Sequence, residues 1–186
     1  MEDEEKIISA PGEKELWDEV TADFRTDPDP LEYHAVLELR ERRVILEIFN
    51  NHALGFEAVA YTVFSSYLFG RSEFRFSIYN QGFTDEIGKF FGMQDVVLGY
   101  RQFDERFVVK TNNQQKLFEL FSDIKTRDLL TFLPDLSFGI VEYTMDDADG
   151  KAPFLELKIE KAITDTAQLR SIYNTFCSVL LSLEVT

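Results

Sequence analysis

Apolar positions recur along the chain with two different periods, and the switches between them divide it into elements. Over residues 13–25, "EKELWDEVTADFR", Leu16, Trp17, Val20 and Phe24 share one face of a helix whose other positions are mostly charged. "TDPDP" at 26–30 ends that helix, because proline has no N–H to donate and pushes the preceding residue toward extended backbone. From Tyr33 the period becomes two. Tyr33, Ala35, Leu37 and Leu39 alternate with His34, Val36, Glu38 and Arg40, and Val44, Leu46 and Ile48 continue after "ERR", so 33–49 predicts a hairpin. Residues 57–68, rich in β-branched and aromatic side chains, predict a third strand. "EFRFSIYN", 73–80, predicts a fourth, with Phe74, Phe76 and Ile78 on one side and Glu73, Arg75, Ser77 and Tyr79 on the other. Joined by short turns, these four strands predict an antiparallel meander with one apolar face to cover.

Further on, "TDEIGKFFG" at 84–92 predicts a short helix from Thr84 to Gly92, and "FDERFVVK" at 103–110 another strand. One or two helices follow, capped near Asn112 or Asn113 and closed before Pro134. Residues 136–145 and 154–162 read as two strands around the turn "DDADGK". A helix capped by Thr164 or Asp165 then runs to about Leu183, with Leu169, Ile172, Tyr173, Phe176, Val179, Leu180 and Leu183 on its apolar stripe. The fold class is therefore α+β. A predominantly antiparallel sheet of about six or seven strands carries helices on one face, including the long C-terminal one. Residues 1–12 read as a flexible acidic N-terminus and 13–186 as a single domain.

Composition sharpens this picture in two ways. Eighteen phenylalanines in 186 residues predict a core rich in aromatic rings. They could fill it solidly or line an apolar cavity between sheet and helix, and the solid core is the reading favoured. The net charge of −15 is concentrated at the start: residues 1–32 hold 12 acids and 3 bases. Without a basic stripe to release counterions, such a chain is not expected to bind nucleic acid or an anionic membrane surface. No apolar run is long enough to span a bilayer and no secretory leader is visible, so the expected location is cytoplasmic.

Candidate chemistry is sparse. Asp147, Asp149, Gly150 and Glu156 in "MDDADGKAPFLE" follow most of a calcium-loop spacing, which makes those three acids the candidate metal ligands. The first ligand position falls on Met145, however, and both flanks alternate as strands. A hairpin turn explains the stretch better, and no metal is expected. Cys177 lies among Tyr173, Phe176 and Leu180 and reads as packing rather than as a nucleophile. His34 and His52 have no ligand spacing to each other or to Cys177. The acid pairs Asp104/Glu105, Asp85/Glu86 and Glu156/Glu160 carry little information among 34 acids. No phosphate loop or other cofactor sequence is present, so no cofactor is expected.

The run "DVVLG", followed by "FDERFVVKTNN" and a Leu/Phe-rich helix, resembles a segment of uncharacterised bacterial proteins of unknown function. The similarity covers Asp95 to about Leu133. It implies a shared α+β scaffold and supplies no catalytic residue to carry over. The expectation is a non-catalytic binding or interaction domain, with a protein partner, a second copy of itself or an apolar small molecule as its ligand. An enzyme built from dispersed acids and a histidine is the alternative. Ile45, Phe49 and Phe64, where polar alternation fails, mark the expected site of a second covering layer or a partner.

Overall fold

The computed structural model describes residues 6–51, 59–70, 73–81, 92–144 and 150–184. In chain order the elements are β1 (Ile7–Ala10), α1 (Glu13–Thr26), β2 (Glu32–Leu39), β3 (Arg42–Asn51), β4 (Val59–Tyr67), β5 (Phe76–Asn80) and β6 (Gln94–Asp95). They continue as α2 (Arg101–Arg106), β7 (Phe107–Thr111), α3 (Gln114–Leu120), α4 (Ile124–Phe132), β8 (Leu136–Thr144), β9 (Lys151–Ile159) and α5 (Thr166–Glu184). The nine described strands form one sheet in the order β1-β2-β3-β4-β9-β8-β5-β7-β6. It is mostly antiparallel, with β1 and β2 the parallel pair, and is larger than the six or seven strands expected.

Three differences from the sequence expectation have identifiable causes. The four-strand meander is broken: β4 pairs with β9, and β5 lies beyond β8. Residues 68–75 therefore carry the chain past two strands, a span that eight residues cover easily at about 3.3 Å each. The segment expected as a strand over 103–110 begins as α2. Phe103 and Phe107 meet at 4.8 Å between ring centroids, and Arg101 bonds Glu105 at 2.8 Å, one helical turn apart. Finally, the expected loose N-terminus contains β1, which buries Ile8 and Ala10 against α1. A four-residue edge strand is too short to show a period.

The five described helices cover one face. Leu37, Val44, Leu46, Phe64, Leu157, Phe138 and Ile78 point beneath them and are all at most 1% exposed. Phe64 thus belongs to the core face, against Phe176 of α5 at 6.1 Å, and not to the outer face expected for it. Phe176, Phe138, Phe121, Phe76 and Phe103 continue the ring contacts at 5.5–6.2 Å. The phenylalanines pack on one another. Across the opposite face runs the row Val36, Ile45, Ser65, Glu156, Gly139, Ser77 and Lys110, one residue per strand in register.

Candidate functional site

A cleft of about 1000 Å³ opens at the C-terminal end of α5. Its walls come from Pro11 to Glu13, from the β2–β3 hairpin tip at Leu39 to Arg43, from Ser66 and Phe69, and from Leu181 and Glu184. Phe69 is 75% exposed and Leu181 44%, so one wall is apolar and open to solvent. The hairpin supplies the other wall. Leu39 pairs with Arg42, leaving a two-residue turn of Arg40 and Glu41. Arg40 has φ 60°, the left-handed conformation usually given to glycine in this kind of turn.

Three arginines and three glutamates line the cleft, and their pairing is uneven. Arg43 Nε bonds Glu38 Oε1 at 2.8 Å, and Ser66 Oγ donates to the Arg43 carbonyl at 2.7 Å. Glu13 accepts from Arg170 Nε at 2.7 Å and from Asn174 Nδ2 at 3.1 Å. These bonds, the arginine's first, hold its carboxyl below the ordinary glutamate range and tie α1 to α5. Arg42 is different. Among the described residues it has no carboxylate partner, and its buried Nε–H has no acceptor.

Near Arg42 lies a buried cluster of polar side chains contributed by α1 and α5. The guanidinium faces Cys177 and Tyr173. Burial pushes the Cys177 thiol up to about 11, against the opposing influence of Tyr173 and Arg42, so it is protonated at neutral pH. Burial, and then the neighbouring thiol, also raises the Tyr173 phenol. The Tyr173 hydroxyl and Trp17 Nε1 are both buried without a hydrogen-bond partner of ordinary geometry. Their rings meet edge to face at 5.6 Å.

A second cluster sits on the uncovered sheet face. Glu156, half-buried in mid-strand, accepts a short hydrogen bond from the Tyr143 hydroxyl. Burial raises its carboxyl above the ordinary range, opposed by the Tyr143 bond and by Lys158. His34 Nδ1 lies 3.2 Å from Glu47 Oε1 on the same face. His34 and Cys177 therefore stand on opposite sides of the sheet.

The residues singled out from the sequence do not converge. Asp147 and Asp149 lie outside the described residues, as do His52, Asp85, Glu86 and, but for Gly92, the helix expected at 84–92. Glu156 is engaged by Tyr143 between two strands that pair as far as Thr144 with Lys151. Asp104 accepts the Leu98 N–H at 2.9 Å and Glu105 holds Arg101, so both are structural. Among the described residues no three His, Cys, Asp or Glu side chains gather as metal ligands. Sequence reading missed Arg42. Its signal was "LRERR", three arginines in four residues of a chain with net charge −15.

No helix of the described residues is long and apolar enough to cross a membrane. No family model and no curated protein matches the chain. Among solved structures, the chain is similar to the crystal structure of the mycobacterial trehalose monomycolate transport factor A, TtfA. The TM-score is 0.50 at 8% identity, over 91% of this chain and 95% of that one, a likeness of fold alone.

Proposed function

We propose that this chain is a non-catalytic binding domain that holds an amphipathic small molecule in the cleft at the end of α5. The observation that carries the reading is the cleft itself. Its volume lies at the upper end of the range of small-molecule sites, with an exposed Phe69 and Leu181 opposite a hairpin rich in arginine. Such walls suit a molecule with one apolar and one polar end. The likeness of fold to a protein named as a transport factor for a mycolate is in keeping with that choice. A catalytic reading has less support, since the thiol is buried and protonated and both described histidine nitrogens lie far from it across the sheet.

Calorimetric titration with dodecyl maltoside below its micelle concentration tests the proposal. Saturable binding, weakened at least about tenfold in Phe69→Ser, is the expected result. Phe69 is exposed, so that substitution leaves the core intact. Absence of saturable heat, or equal affinity in the variant, would sink the cleft as the site.

A further inference from the structure

A buried donor without an acceptor says something about what the cleft is built to receive. Arg42 Nε can only donate, and among the side chains that line the cleft it is the buried donor left without an acceptor. A half-buried guanidinium with no counterion is costly, because burial removes water without returning a negative charge. Glu41 and Glu184 line the same cleft, but among the described residues neither forms an ion pair with Arg42. Cys177 stays a neutral thiol and Tyr173 a neutral phenol, while Glu13 is already held by Arg170 and Asn174. Arg42 also lines the cleft, so its charge is reachable from the solvent side.

We infer that Arg42 is the anchor for an anionic head group, and that the ligand of this cleft is a single-chain carboxylate amphiphile. The inference rests on the binding reading above and adds the head-group chemistry. A carboxylate supplies several lone pairs and the missing negative charge in one group, and a guanidinium matches it in a planar, two-pronged geometry. The apolar tail then lies along Phe69 and Leu181, on the wall that solvent otherwise wets. The hairpin turn holds the anchor rigidly, since Arg42 directly opens β3 and pairs with Leu39.

The test compares dodecanoate with dodecanol on the intact chain at pH 8, each below its aggregation limit, by calorimetry and by fluorescence of the single tryptophan, Trp17. Wild type is expected to bind dodecanoate at least about tenfold more tightly than dodecanol. Arg42→Met should abolish that preference. Arg42→Lys, which keeps a positive charge without the planar fork, keeps the test available if Arg42→Met does not fold, and it should reduce the preference. Equal binding of the two ligands in wild type overturns the inference and leaves the binding reading standing. A preference that survives both substitutions overturns the assignment of Arg42. No binding of either ligand removes both readings together.

Discussion

Gly139 decides more of this fold than its size suggests. It sits in β8 opposite Ser77 of β5, and a β-carbon there would lie 2.6 Å from the Phe76 carbonyl oxygen. Backbone is a rigid neighbour, so Gly139→Ala forces β5 away from β8 and should cost about 1–3 kcal/mol, read as a lower urea midpoint. Arg40 is the reverse case. Its left-handed backbone costs roughly 1–2 kcal/mol in a residue with a side chain, so Arg40→Gly should stabilise the fold by up to about that amount. Thermal denaturation without a gain would show that the turn relaxes by another route. Glu156 carries a pH dependence. Because burial raises its carboxyl, the folded state binds the proton more tightly than the unfolded chain does. The resulting penalty is full above the folded value and disappears as pH falls below the ordinary glutamate value of 4.5. Glu156→Gln keeps an acceptor for Tyr143 and removes the charge. It should melt higher than wild type at pH 8 and coincide with it near pH 4.

At the scale of elements, the described helices other than α2 were legible and their fastenings largely were not. The stripe Leu16, Trp17, Val20 and Phe24 fixed α1 to within a residue, since it is buried on a helix whose opposite face is polar. Asn113 caps α3 and Asp165 caps α5 as side-chain acceptors, both among the residues expected for the task. The α3–α4 region is held by arginines that no period announces. Arg127 Nη1 donates to the Phe121 and Ser122 carbonyls at 2.5 and 2.6 Å, and its guanidinium lies 3.5 Å over the Tyr100 ring. Arg106 Nη1 similarly donates to the Thr131 carbonyl at 2.6 Å. Both close helix ends whose carbonyls have no partner within the helix. Arg127→Ala should therefore cost about 1.5–3 kcal/mol, measured as a shift in the denaturant midpoint. A loss below half a kilocalorie would mean that water replaces the guanidinium.

For the whole molecule, the longer strands were readable and strand order was not. Alternation says that a segment has one buried face, and it is silent about which neighbour supplies the hydrogen bonds. The isolated glycine in "SFGIV" was the hint that another backbone comes close to β8, but it did not name β5. The cleft was still less visible, because its walls come from residues 11–13, 39–43, 66–69 and 181–184, which the fold alone brings together. Charge acts at this scale as well. With a net −15 overall and eight acids against three bases in residues 6–32, like charges crowd around β1 and α1 beyond what Lys6–Asp23, Lys14–Asp18 and Glu13–Arg170 neutralise. Salt shortens the reach of that repulsion to about 10 Å at 0.1 M. The melting temperature should therefore rise between 10 and about 300 mM sodium chloride. A fall would show that the ion pairs outweigh the repulsion.

The position of the β8–β9 hairpin also governs when the protein can become itself. Those strands occupy the middle of the sheet but come near the end of the chain. While the ribosome is still short of Leu136, β4 and β5 each present an edge with no partner, and Phe64 and Phe76 have neither Phe138 nor α5 to lie against. Open edges and bare aromatic surface are what invite pairing with other chains. The nascent molecule thus waits for its centre, and a chain cut before residue 136 is a candidate for aggregation and not a smaller version of the fold.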